Sequence, residues 1–198
     1  LSSSSAASDV YKRQNGAWGE AGPTESDDSG NAEFPQVAFD AEGNALAVWW
    51  QSDGVRLNIW ANRYTEETGW GTAELIESGA GDAREPQIAV DASGNALAVW
   101  QQSDGVRSSI WANRYTAGAG WGTAELIEND DAGNANLPQV AVDANGNALA
   151  VWQQSDGVLD NIRANRYTAG AGWGTAELIE QDGAGDAGAP EIAIDADG

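Results

Sequence analysis

The sequence has no cysteine, no histidine and no methionine among its 198 residues. Without thiols and imidazoles it has no means of forming disulfides, Cys/His zinc sites or a Ser-His-Asp triad. Bases are scarce as well, since 9 Lys and Arg stand against 31 Asp and Glu, which gives a net charge of −22. A phosphate backbone would repel such a chain, so we expect no nucleic-acid partner. No run approaches the ~18 apolar residues of a membrane span, so we expect no membrane insertion.

What the sequence has in quantity is glycine, tryptophan and repetition. It contains 25 Gly and 10 Trp, and 41% of its residues are hydrophobic, which excludes disorder of the whole chain by composition. Prolines that open similar segments are spaced 51, 52 and 52 residues apart: Pro35, Pro86, Pro138 and Pro190. Segments 86–137 and 138–189 differ at only 11 of 52 positions. A period near 50 residues is typical of propellers and other repeat architectures.

The repeat divides the chain into units. Residues 1–14 match nothing later in the chain and are predicted to be a disordered tail that does not belong to the fold. The sequence looks like a fragment cut inside a unit at both ends. The predicted units are the last strand of a truncated blade at 15–34, three whole blades at 35–85, 86–137 and 138–189, and the first strand of another truncated blade at 190–198.

Four short strands are predicted in each unit. In the second whole unit they cover 87–91, 95–102, 110–116 and 121–128, separated by Asp-, Gly- and Ser-rich turns. In the second strand Leu97 and Val99 point one way and the smaller Ala96 and Ala98 the other, together with Trp100. This pattern predicts a sheet that is buried on both faces.

Four antiparallel strands in about 50 residues, repeated along the chain, describe the blades of a β-propeller. The predicted fold is therefore all-β: a propeller fragment of four-stranded antiparallel blades, about 3.5 of them. Because each blade covers its neighbour, we expect tryptophans of the second strands to pack between blades, namely Trp49, Trp100 and Trp152.

The layout P-x-[VI]-A-x-D-x-x-G-N…V-W, followed by a strand, a hairpin and W-x-x-x-x-L-I, resembles the sialidase-like propellers, which carry bacterial neuraminidase repeats or Asp-boxes. The Asp-box S-x-D-x-G-x-T-W would fall on the hairpin before Trp121, where Gly118 keeps the box glycine. The Ser, Asp and Thr positions hold Arg114, Thr116 and Gly120, so the box is degenerate. The resemblance implies a bacterial protein at the cell surface or outside the cell.

Sialidase chemistry as the resemblance implies it needs an arginine triad, a Tyr/Glu pair and a general acid. An Arg-Tyr pair does recur in the third strand, but it is identical in every unit, whereas a catalytic set draws unlike residues from different blades. We therefore interpret these residues as structural and predict no catalytic residue. The Asp of each V-D-A segment begins a hairpin and is interpreted as a turn residue.

The loops between the second and third strands are the predicted ligand-binding elements. In the resembling family these loops and the inter-blade linkers share the face that binds ligands. Turn geometry alone also accounts for their S-D-G sequence. The predicted contacts to a sugar or peptide are Gln51, Ser52, Asp53, Arg56, Gln102, Ser103, Asp104, Arg107, Gln154, Ser155 and Asp156.

The linkers are acidic, with Asp82, Asp130, Asp131, Asp182 and Asp186, and clustered carboxylates are ligands that Ca²⁺ prefers. No calcium-loop motif accompanies them, so we interpret them as a solvated acidic surface and predict no cofactor.

These features favour a non-catalytic binding or adhesion module of an exported bacterial repeat protein, with a glycan or protein as its ligand. Two alternatives stay open: a piece of a sialidase-like glycoside hydrolase whose catalytic residues lie elsewhere, and a passive structural spacer.

Overall fold

The computed structural model describes residues 13–14, 17–18, 24–25, 30–129, 132–180, 183 and 185–195. Within these ranges the chain forms strands, turns and irregular segments but no helix, so no helix has the length and apolarity of a membrane span. The strands in chain order are β1 (Arg13–Gln14), β2 (Ala17–Trp18), β3 (Ala32–Phe39), β4 (Ala45–Ser52), β5 (Leu57–Thr65), β6 (Gly69–Trp70), β7 (Glu74–Leu75), β8 (Ala83–Val90), β9 (Ala96–Ser103), β10 (Ser108–Thr116), β11 (Gly120–Trp121), β12 (Glu125–Leu126), β13 (Ala135–Val142), β14 (Ala148–Ser155), β15 (Asp160–Thr168), β16 (Gly172–Trp173) and β17 (Glu177–Leu178).

Three antiparallel sheets repeat along the chain, and we call them blade 1 (β3–β7), blade 2 (β8–β12) and blade 3 (β13–β17). In each blade the first three strands pair in sequence order, and two short strands pair with the outer side of the third. The first strands meet at the inner edge, where β8 contacts both β3 and β13. The predicted all-β fold is confirmed, and its sheets are arranged as the blades of a partial β-propeller.

Each internal blade is buried on both faces, as the alternation in the second strand predicts. Ala98 and Trp100 pack against Val48 and Ile59 of blade 1. From the other face of the same sheet, Val99 packs against Trp152 of blade 3. The predicted position of the tryptophans between blades is thus confirmed for Trp100 and Trp152, and apolar burial across these two contacts stabilises the blade pairs.

The exposed side of blade 3 shows how much a neighbouring blade covers. Ile76 and Ile127, which end the fourth strands of blades 1 and 2, are each 3% exposed, whereas the equivalent Ile179 is 52% exposed. The three residues share one local sequence, A-E-L-I-E. Their burial therefore depends on the following blade and not on their own strand.

The first strands begin earlier than predicted, and they contain a bulge. In blade 2 the strand starts at Ala83 instead of Gln87, because Ala83 and Arg84 already pair with Gln102 and Gln101. The register then shifts between Arg84 and Gln87, across the buried Pro86, which lacks the N–H that a continuous ladder needs.

The predicted fourth strand is divided into two pieces. Tyr115 pairs with Trp121, but Trp111 pairs with Leu126, so one extra residue is accommodated between β11 and β12. The Asn113 amide lies in this gap and donates to the Gly122 carbonyl at 3.2 Å and to the Ile76 carbonyl of blade 1 at 2.8 Å. A side chain thus replaces the missing ladder bond and also joins two blades.

The predicted end segments are described only in part. Residues 1–12 of the predicted tail and 196–198 lie outside the described residues, while Arg13–Gln14 pair with Ala17–Trp18. The carbonyl of Thr24 accepts from the Asn62 amide at 2.7 Å, as that of Ile76 accepts from Asn113. Ala32–Phe34 of the segment predicted as the last strand of a preceding blade, 15–34, belong to β3 of blade 1, and the assignment of the rest stays a prediction.

Candidate functional site

One end of the blades collects the loops that the sequence singles out. Ala83, at the start of a first strand, pairs with Gln102, at the end of the second strand. The linkers that enter the first strands and the S-D-G loops that leave the second strands therefore lie at the same end of every blade. We call this end the ligand face.

The three glutamines of the predicted site are buried beneath the ligand face. Gln102 accepts from the Trp100 indole N–H at 3.0 Å and donates to the Glu77 carboxylate, a residue of the preceding linker, at 2.7 Å. Gln154 repeats the pattern with Trp152 and Glu128, at 2.9 and 3.0 Å. The amides thus fix each tryptophan and join consecutive blades, and all three glutamines are buried.

The serines and aspartates of the predicted site form the turns themselves. Ser103 Oγ accepts from the Gly105 N–H at 3.0 Å, and Asp104 Oδ1 accepts from the N–H groups of Val106 and Arg107, both at 2.7 Å. These backbone bonds favour the carboxylate and lower the pKa of Asp104. Bonds of the same kind lower the pKa of Asp53 and of Asp156.

The arginines of the loops differ in their surroundings. Arg56 donates to the Gly79 carbonyl and lies 3.7 Å from the buried Glu77 carboxylate, so it fastens the loop of blade 1 to the following linker. Blade 3 has Leu159 in place of this arginine. The structure thus assigns turn or packing contacts to all eleven predicted residues, Arg107 included through its backbone, and ligand binding by any of them stays a prediction.

The opposite end of the blades consists of hairpins that need no ligand to explain them. Asp91 Oδ1 accepts from the backbone of Ser93 and Asn95, at 2.8 and 3.0 Å. Asp143 makes the same turn. Its hydrogen bond from the Asn147 side chain lowers its pKa most, and the bond from the Asn147 backbone N–H lowers it further. The predicted turn role of these aspartates is therefore confirmed.

The recurring Arg-Tyr pair makes contacts within the sheet and between blades. Arg114 donates to Thr116 Oγ1 at 2.7 Å, and the Arg63 guanidinium lies 6.0 Å from the centre of the Tyr115 ring in the next blade. These contacts fit the structural interpretation of the pair.

Acidic side chains of the linkers accept hydrogen bonds from backbone N–H groups. Asp82 Oδ1 accepts from the N–H of Leu57, the first residue of the third strand of blade 1, at 2.9 Å. Asn134 and Asp186 accept in the same way from the first residues of the third strands of blades 2 and 3. In the part of the chain that the structure describes, no group of three acidic side chains is arranged to hold a metal ion. Asp130, Asp131 and Asp182 lie outside the described residues.

A pocket lies where the inner edges of the three blades converge, at the bulges of the first strands. Its volume is about 180 Å³, and it is partly open to solvent. We call it the axial pocket. Its lining residues are Phe34, Gln36, Glu85, Pro86, Gln87, Leu137, Pro138 and Gln139.

An aromatic platform borders the axial pocket on the side of blade 1. The Phe34 ring stacks on Trp50, with 5.8 Å between ring centres and 20° between the planes, yet Phe34 remains 59% exposed. Across the pocket the buried Glu85 Oε2 has no hydrogen-bond partner. The pocket therefore combines an aromatic face with glutamine side chains and one glutamate.

None of these pocket residues is in the set predicted from the sequence. A signal for them does exist: the two residues before each repeat proline differ in every copy, as Glu33-Phe34, Arg84-Glu85, Asn136-Leu137 and Gly188-Ala189. Only the pairing of blades shows that three of these variable positions meet in one pocket.

The fold and the axial pocket define a partial β-propeller with a candidate ligand site at its inner edge. No family model matches the chain, and no curated protein does, so its assignment to the neuraminidase repeats stays a prediction. Among solved structures the chain is similar to an endo-arabinase from Bacteroides thetaiotaomicron VPI-5482, with 15% identity, a TM-score of 0.52, and coverage of 88% of this chain and 73% of that one. A protein of unknown function from Dyadobacter fermentans DSM 18053 aligns over 78% of this chain and 70% of its own, at 12% identity and a TM-score of 0.40. The first of these similarities supports the propeller fold.

Proposed function

We propose that the chain is a non-catalytic binding module of an exported bacterial repeat protein and that it binds a neutral glycan in the axial pocket. The observation that carries this proposal is the stack of Phe34 on Trp50 at the pocket's edge. The ligand site lies on the inner side of the ligand face, next to the loops that the sequence singles out.

The lining of the pocket suits a sugar. Ligand pockets combine apolar surface with a few polar groups that fix orientation, and this pocket has both kinds of surface. An exposed aromatic face offers flat apolar area to the C–H side of a sugar ring. The amides of Gln36, Gln87 and Gln139 offer donors and acceptors to hydroxyl groups, and Glu85 offers an acceptor.

Charge selects among glycans. The chain carries a net charge of −22, and its pocket contains a carboxylate, so an anionic sugar such as a sialoside is repelled. A neutral oligosaccharide meets no such penalty.

A glycoside hydrolase is the second candidate, because the endo-arabinase of similar fold is an enzyme of that class. Glycosidases use two carboxyl groups at a defined separation. Glu85 supplies one such group at the axial pocket, and the hydrolase alternative requires a second one from a further blade. A passive spacer is the third candidate and requires no ligand at all.

A glycan array of neutral and sialylated oligosaccharides, probed with the full chain, tests the proposal. We expect binding to neutral glycans and loss of that binding in Trp50→Gln, which copies the residue of blades 2 and 3. Leu126→Ala, on the outer edge of blade 2, is the control and should bind as the parent does. No binding to any glycan would refute the proposal. Release of reducing sugar from a bound glycan would favour the hydrolase.

A further inference from the structure

The residues that precede the repeat prolines share an unusual backbone conformation. Phe34, Glu85, Leu137 and Ala189 have φ values of 52°, 53°, 53° and 50°, and they are the only described non-glycine residues with positive φ. The left-handed region is unfavourable for any residue with a Cβ, and a following proline favours extended conformations instead. The same strain is therefore kept in four copies.

Glycine would relieve this strain, yet it occupies none of the four positions in a chain with 25 glycines. Turns elsewhere in the same blades do use it, as at Gly94 and Gly105, where φ is 76° and 93°. Strained backbone of this kind is typical of functional sites. Retaining a side chain here indicates that the side chain itself is needed.

The side chains that the strain holds in place differ from blade to blade. Phe34, Glu85 and Leu137 all line the axial pocket, and they present an aromatic ring, a carboxylate and an alkyl group. Each of them is followed by the same two residues, a proline and then a glutamine, in all three blades. The residue that packs beneath the pocket side chain also differs between blades. Phe34 stacks on Trp50 in blade 1, whereas the equivalent residue is Gln101 in blade 2 and Gln153 in blade 3.

We propose that Phe34, Glu85 and Leu137 are the specificity-determining positions of the axial pocket, each blade holding one interchangeable side chain out on a strained bulge. The inference rests on the proposed function, because it requires that the pocket binds a ligand. The ligand it implies is a neutral oligosaccharide that has an apolar ring face for Phe34 and a hydroxyl group for the Glu85 side chain.

Two substitutions test the assignment while keeping a side chain at the strained backbone position. Phe34→Leu gives blade 1 the residue of blade 3, and Glu85→Gln keeps the size of the side chain but removes its charge. Each variant and the parent chain are measured by titration calorimetry with arabinotriose, xylotriose and cellotriose as probes. Thermal unfolding of the same samples reports on the fold.

We expect each substitution to weaken binding of the preferred trisaccharide about tenfold or to change the order of preference, with an unaltered unfolding midpoint. Ala189→Gly is the matched control, because Ala189 has the same backbone strain but does not line the pocket. It should raise the unfolding midpoint or leave it unchanged, and binding should stay as in the parent.

The outcomes separate the inference from the proposed function. If the parent binds and both variants bind with the same affinities and preference, the inference is wrong and the proposed function stands. If the parent binds none of the three probes and no glycan of the array, both are refuted. A lower unfolding midpoint in both pocket variants, together with lost binding, would show that the side chains act in folding and would also overturn the inference.

Discussion

The amide of Gln102 in blade 2 donates to the carboxylate of Glu77, in the linker that leaves blade 1, over 2.7 Å. The same glutamine holds the indole of Trp100, which packs against blade 1. Both partners are buried, so this pair couples the packing of a core tryptophan to the path of the chain between blades.

Replacing Gln102 with leucine should therefore destabilise the protein. The substitution removes the side-chain hydrogen bonds to Trp100 and Glu77 and takes one donor from a buried carboxylate that keeps the Gly79 N–H at 2.7 Å, which costs about 1–3 kcal/mol of unfolding free energy. Urea unfolding followed by tryptophan fluorescence measures the change. Gln101→Leu, one residue earlier, is the control: Gln101 Oε1 has no partner to lose, and we expect a smaller effect. Equal losses in the two variants would contradict the role given to Gln102.

Glycines in the linkers allow a close approach of two backbones. A Cβ at Gly81 would lie 2.1 Å from the Ser103 carbonyl oxygen, so Gly81→Ala must displace the linker or the loop. We expect a loss of several degrees in the unfolding midpoint, as for other backbone clashes. Gly185 occupies the same place after blade 3 and has open space around it, so Gly185→Ala should have little effect. The pair is compared by differential scanning calorimetry.

The contacts between blades predict different stability losses for two equivalent isoleucines. Ile127→Ala should cost about 2–5 kcal/mol, since it opens a cavity between blades 2 and 3. Ile179→Ala changes a residue that is 52% exposed and should cost less than about 1 kcal/mol. Urea titration of the two variants gives both values. A similar cost at both sites would mean that blade 3 does not cover Ile127 as the structure shows.

Acid should weaken the S-D-G loops. Because backbone N–H groups lower the pKa of Asp104 in the folded protein, its contribution to stability is present above the unfolded pKa, near ~4, and is lost as the pH falls through the lower folded value. Asp104→Asn keeps an acceptor oxygen but cannot ionise, so its stability should depend less on pH below about 4. Unfolding midpoints at several pH values between neutral and strongly acidic test this. An unchanged pH profile in the variant would refute the prediction.

Periodicity alone is enough to predict the all-β class, the blades and the two buried faces of blade 2. The alternation of Leu97 and Val99 with Ala98 and Trp100 requires a sheet covered on both sides, and the structure places blades 1 and 3 there. Turn chemistry was equally local: Ser103, Asp104 and Gly105 form the turn that their sequence indicates.

The site was the part that the sequence alone did not reveal. Gln102 looks like a surface residue beside a polar loop, but its neighbours Trp100 and Glu77 come from two blades, and their pairing buries it. The division of the fourth strand is not predicted from the sequence for a similar reason. The Asn113 amide that fills the gap donates to a carbonyl of another blade.

Local sequence thus determined which segments form strands and turns, because side-chain alternation and turn residues act over a few positions. Tertiary structure alone decided that Phe34, Glu85 and Leu137 share one pocket, since they lie about one repeat apart along the chain. Only the packing of successive blades brings their strained bulges to the same inner edge, and no short-range pattern encodes that convergence.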